Sequence, residues 1–385
     1  MTPGPDRDVP AAPDAPADPG VPADHYAPED QVDPAAAVEA ELHSKPLGRR
    51  LVEGAVSLVA LVVLFALVIP RVTGSTYREV ADQLRTLSTA EILALAGVWV
   101  LSLVVYAGVL VNVLPGLRRT QAVVLNTATS AVSNVVPFGG AVGVGATYGM
   151  SSSWGFSVPA ITLAILVSGV WNVLVKLGLP IVALTLLAVT GQASGGLVVA
   201  AGVGLALLAL AVTVLVLVLR SDALAGSIGR LLQRVVTRVL RVLRRPDRVG
   251  VEAAVVDFRH RSRSLIAERW PRITAWMLGY SMMQFLLQLL ILRWLGETSL
   301  SGVEVFAAFA FGRLLSTIPL TPSGVGFADT GAVAALVAFG GDPATCTAGV
   351  LLFTGFVYLL EIPVGAVSWI VWARATSWRR RDPAL

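Results

Sequence analysis

The chain has 385 residues and a formal net charge of +4; 55% of its residues are hydrophobic, only 14% are charged, and the mean hydropathy is +0.74. Soluble domains carry about 25% charged residues, so a water-soluble globular fold is excluded. The expected fold is all-α: a polytopic membrane helix bundle of about six full spans plus two re-entrant segments in inverted-topology repeats.

Residues 1–46 are rich in Pro, Ala and Asp and nearly free of large apolar side chains, which reads as a disordered acidic tail. A signal peptide would begin with a short basic region and reach an apolar core within a few residues; this segment does neither. The membrane region begins at about 47 and runs to 219. It holds apolar spans at 52–69, 91–114, 158–189 and 196–219, and Pro180 is expected to tilt or break the third. Residues 220–271 form a basic segment, with thirteen arginines through Arg272. Leu231, Val235, Val239 and Val242 recur there at helical spacing, as in an amphipathic helix lying on a membrane surface. Its expected partners are membrane lipids, through anionic headgroups, and not nucleic acid. A second membrane region, 272–374, holds spans at 272–295 and 344–373, and a basic tail, 375–385, follows.

Basic loops face the cytoplasm. Both termini, the Arg118–Arg119 end of the second span and the 220–271 segment are therefore expected inside an inner (plasma) membrane. On that accounting 120–155 begins and ends on the inner side, and 299–341 begins and ends outside. Both stretches are apolar and rich in glycine, so each is expected to dip in and return. Pro137 precedes Gly143-Val144-Gly145 in the first, and Pro319 precedes Gly324-Val325-Gly326 in the second. The repeats are then 91–190 and 272–373, in opposite orientation. Irregular backbone at membrane depth occurs where it is buried in protein or lines a cavity, and paired Gly/Pro-interrupted segments mark transport pathways. Plain helix packing competes at Gly139/Gly143 and Gly145/Gly149, both GxxxG pairs.

Ionisable residues in such surroundings are functional candidates. Arg313, on the approach to the second dip, suits an anionic headgroup, with snorkelling to the interface as the alternative. Asp329 is expected either to fix Arg313 or couple to a proton, or to cap the returning helix. Asn134 is placed to hydrogen-bond backbone freed by Pro137 or to touch substrate, whereas Thr147 and Tyr148 read as packing. Lys176 and Glu361 each precede a proline in matching places of the two repeats, and an intramembrane charge pair between them is expected. The lone Cys346 permits no internal disulfide. His25, His43 and His260 form no ligand cluster, so neither metal nor cofactor is expected. No GxSxG, HExxH or P-loop motif occurs, and no catalytic residue is assigned.

The segment STIPLTPSGVGFAD (316–329) resembles the Pro-Gly-Gly-x-Gly-x-x-Glu signature of the lysylphosphatidylglycerol synthase transmembrane-region family, also described as flippase-like membrane proteins. NVVPFGGAVG (134–143) resembles that family's Asn-x-x-Pro motif. The matching positions are Asn134, Pro137, Gly140, Arg313, Pro319, Pro322, Gly324, Gly326 and Asp329. Ser323 stands where the second glycine is usual, Asp329 where glutamate is, and Thr354 where the last helix commonly has arginine. The resemblance covers about 50–375. It implies the lipid-translocating half of the synthases without their soluble aminoacyl-transfer domain. The expected function is movement of an anionic lipid or lipid-linked precursor between leaflets. The alternatives are a membrane glycosyltransferase, or its accessory, using polyprenyl-phosphate sugars, and a membrane scaffold.

Overall fold

A computed structural model describes residues 77–135, 139–191, 213, 251–317 and 326–378. Among these every regular element is a helix. In chain order they are α1 (Tyr77–Leu84), α2 (Thr89–Val113), α3 (Arg119–Val135), α4 (Gly139–Ser153), α5 (Val158–Val189), α6 (Val251–Trp294), α7 (Gly302–Leu315), α8 (Phe327–Ala338), α9 (Pro343–Thr354) and α10 (Glu361–Arg374). A π-turn, Gly355–Leu359, joins α9 to α10 in one rod.

Among the described residues four stretches are long and apolar enough to cross a membrane: Thr89–Val113, Val158–Val189, Glu268–Trp294 and Pro343–Arg374. The expected spans at 52–69 and 196–219 lie outside the described residues, as do the acidic tail and Arg379–Arg381. Helix α5 runs unbroken through Pro180, so the break expected there does not occur. The ring removes one backbone bond, but the flanking turns hold the helix together. Residues 251–271 are the first part of α6 and continue through Pro271 into the span. This part of the basic segment is thus no separate surface helix; the part with the apolar periodicity lies outside the described residues.

Local sequence sets the boundaries. Ser88 and Ser301 each accept a hydrogen bond from the backbone of a glutamate three residues on, Glu91 and Glu304, whose side chains return the bond. These are capping boxes, which satisfy helix-end donors reciprocally. Asp342 caps α9 by accepting from the Thr345 backbone at 2.8 Å.

Long helix, two short helices around a gap, long helix: this order occurs twice, as α2–α5 and as α6–α10. The units pack reciprocally. The leading helices α2 and α6 lie against each other, α3 of the first unit packs on α10 of the second, and α7 of the second packs on α5 of the first. Glycine permits two of these contacts. A Cβ on Gly108 would collide with the Trp276 ring, and one on Gly365 with the Thr127 carbonyl and the Ala131 methyl. Close approach at small residues is how helices associate where apolar burial offers little drive. The bundle is apolar outside, and its largely apolar core encloses a set of polar side chains. Leu93, Val104, Val182, Val189, Leu359 and Val367 are exposed, while Gln121, Thr127, Ser281, Gln284, Gln288, Thr354 and Ser368 are buried.

Candidate functional site

Two polar regions lie inside the bundle, one at each gap. At the first, α3 presents Asn126, Thr129, Ser130, Ser133 and Asn134 along one helical face. With Thr147 of α4, Ser168 of α5 and Tyr106 of α2 they line a cavity of about 280 Å³. Gly140 lines it too and has open space before it, whereas Gly143 sits under Ser133, where a Cβ would collide with the hydroxyl. Gly139 meets the Ser133 backbone in the same way. The Gly139/Gly143 pair is therefore a packing seam that brings α4 against α3. Gly149 has open space, so Gly145/Gly149 does not form a second such seam; Gly145 is half-buried in the same helix. Thr147, expected to be packing, lines the cavity. Tyr148 bonds the Thr162 hydroxyl at 2.7 Å.

Asn134 reaches across to the other unit. Its side-chain amide donates to the Tyr358 carbonyl at 3.3 Å and to Glu361 Oε2 at 3.4 Å. Among the described residues the backbone it serves belongs to the last rod; Pro137 and the backbone beside it lie outside them. The Ser130 hydroxyl also bonds Glu361. Tyr358 lies within the π-turn, a distortion frequent at functional sites, and Glu361 two residues after it.

At the second gap Gly326 has φ 86°, a left-handed backbone that favours glycine, and serves as the N-cap of α8. Asp329 is buried. Its Oδ2 accepts from the Gly326 amide at 2.9 Å and its Oδ1 from the Thr354 hydroxyl at 2.9 Å. Both oxygens are engaged, so the capping reading is the one the geometry supports. Thr354, at the position where arginine is common, is the partner of that carboxylate. Arg313 ends α7 and, with Gln288, Ser316, Asp329 and Tyr358, lines a small cavity of about 30 Å³. Its Nε is buried with no hydrogen-bond partner, and so is Nε2 of Gln288. Pro137, Pro319, Pro322 and Gly324 lie outside the described residues.

The charges are arranged differently from the expectation. Among the described residues no ion pair joins Lys176 to Glu361: the carboxylate is bonded to Asn134 and Ser130. Lys176, half-buried on α5, lies instead within reach of the charge of Arg313. Matching places in two repeats did not make these residues neighbours, because α5 packs on α7 and α10 packs on α3. Tyr106, on the wall of the first cavity, packs against Tyr280, their rings 4.8 Å apart, and both feel the charges of Arg313 and Glu361. Gln284 donates to the Tyr280 hydroxyl at 2.6 Å and lies one turn before Gln288. Sequence reasoning missed this glutamine–tyrosine row and the α3 face. The signal for both was polar residues at helical spacing inside apolar runs.

These features define a class: a multi-pass α-helical membrane protein built from two helix–gap–helix units that enclose polar cavities. No individually curated protein matches the chain. The model of the lysylphosphatidylglycerol synthase transmembrane region matches residues 51–365, and the chain belongs to that family.

Proposed function

We propose that this protein moves a lipid with an anionic headgroup between the two leaflets of the cell membrane. The observation that carries this reading is the pair Arg313 and Lys176. They are two basic side chains within electrostatic range of one another, inside an apolar bundle, and neither has an ion-pair partner among the described residues. Cations in such surroundings are costly unless a counter-charge joins them; a lipid phosphate supplies it. Reciprocal packing of the two units supports inverted repeats, with the gaps opening to opposite sides and the substrate site at their interface. Asn134, joining α3 to the last rod, is then a contact that opening must break.

The test is a leaflet-resolved assay on the purified protein in phosphatidylcholine vesicles, following fluorescent phosphatidylglycerol and fluorescent phosphatidylcholine. Wild type is expected to move the anionic lipid, and Arg313→Gln and Lys176→Met to slow it at least ~10-fold, about 1.4 kcal/mol of lost interaction. Equal rates for both lipids, or full activity in both variants, refute the reading.

A further inference from the structure

The 280 Å³ cavity at the first gap has a chemistry of its own. Asn126, Thr129, Ser130, Ser133, Thr147 and Ser168 face it, and among the described residues no charged side chain lines it. Most of the hydroxyl protons are already used. Thr129 donates to the Leu125 carbonyl at 2.8 Å, Thr147 to the Gly143 carbonyl at 2.9 Å and Ser168 to the Ile165 carbonyl at 3.1 Å, while Ser130 is bonded to Glu361. A hydroxyl whose proton is committed still offers lone pairs. The wall therefore presents acceptors beside the Asn126 amide and the Ser133 and Tyr106 hydroxyls, and its complement is an uncharged ligand rich in groups that both donate and accept. An ammonium group fits less well: it needs a carboxylate when taken from water, none lines the cavity, and Glu361 behind it is held by Asn134 and Ser130. The volume lies just below the ~300 Å³ at which small-molecule pockets begin, and suits one headgroup. Tyr106 both lines this cavity and lies within reach of the Arg313 charge, which links the cavity electrostatically to the second gap.

We infer that this cavity holds the neutral, hydroxyl-bearing part of an anionic headgroup: a polyol, glycerol or a sugar, esterified to the phosphate. The inference rests on the lipid-translocation reading for the phosphate, and on the cavity wall alone for the polyol. A site built to hydrogen-bond ligand hydroxyls rejects analogues that lack them, because its buried polar groups are left unpaired.

Binding and transport are measured separately. The full chain in detergent is titrated with short-chain phosphatidylglycerol, phosphatidylinositol, phosphatidic acid and aminoacylated phosphatidylglycerol, and thermal stabilisation is recorded. The two polyol lipids are expected to act at concentrations at least ~10-fold lower than the other two. The double variant Thr129→Val/Thr147→Val keeps the side-chain shape and removes two acceptors. It is expected to lose the preference while binding phosphatidic acid as wild type does. If the double variant does not fold, Ser168→Ala reads the same preference from the opposite wall. Equal binding of phosphatidic acid and phosphatidylglycerol, tightest binding of the aminoacylated lipid, or a preference untouched by the variants overturns the inference. A polyol preference without transport in vesicles leaves this site standing and removes the translocation reading; transport without the preference does the reverse.

Discussion

Replacing Gly365 by alanine tests how the two units are joined. Gly365 lies where α10 crosses α3, and the added methyl would collide with the Thr127 carbonyl and the Ala131 methyl. Overpacking a tight contact costs about 1–3 kcal/mol. The same seam carries the Thr127–Ser368 hydroxyl bond at 2.7 Å and the bond from the Trp369 indole to the Ala128 carbonyl at 3.1 Å. Interhelical hydrogen bonds in membrane proteins average ~0.6 kcal/mol, so loss of both brings the expected total to about 2–4 kcal/mol. Reversible denaturant unfolding in detergent micelles reads this directly. Ala131→Gly in the Gly365→Ala background removes one of the two colliding groups. It should recover part of the loss and not all of it, because the Thr127 carbonyl stays in place. Adjacent residues couple by 0.5–3 kcal/mol when they share a contact, as a rough range. Wild-type stability in Gly365→Ala, or strictly additive effects in the pair, would refute the seam.

Three further outcomes are expected. Glu297 is buried beside the start of α9; burial opposes its charge, but hydrogen bonds from the Ser299 hydroxyl and from the backbone of Asp342, Ser299 and Leu300 hold its carboxylate below the ordinary 4.5. Asp342 is likewise held below 3.8 by the Thr345 backbone and hydroxyl. A depressed carboxylate stabilises the fold fully above its ordinary value and loses that contribution as pH falls through the folded value. Thermal midpoints should therefore fall between pH 5 and pH 3, about the carboxylate range, and Glu297→Gln should flatten that fall. Gly108→Val should cost about 1–3 kcal/mol by forcing the Trp276 ring away, and Trp276→Leu should relieve part of it. In a Cys346→Ala background, a cysteine at exposed Ser152 should be labelled only from the cytoplasm and one at exposed Thr298 only from outside. Labelling of both from one side would refute the opposed repeats.

Composition by itself determined the solvent. A chain with so few charges folds with its apolar surface outward, and runs of that length become helices because no water is present to satisfy an open backbone. The span at 158–189 was legible in the same way and is α5 to the residue, whereas the capping serines Ser88 and Ser301 are seen in the structure. The prolines of the two interrupted stretches lie outside the described residues, but Gly326 and Asp329 do start a helix after the second of them. Neighbours across the bundle were decided only by tertiary structure. Lys176 and Glu361 looked like partners because their surroundings in the chain match. Their contacts are instead set by which helix each unit lends to the other, and that exchange leaves Lys176 within reach of the Arg313 charge while Asn134 and Ser130 bond Glu361. The cavity wall was hidden for a related reason. A serine or threonine in an apolar helix returns its proton to its own backbone wherever it sits. Only the packing of α2, α3, α4 and α5 gathers Thr129, Ser130, Ser133, Thr147 and Ser168 into one acceptor surface.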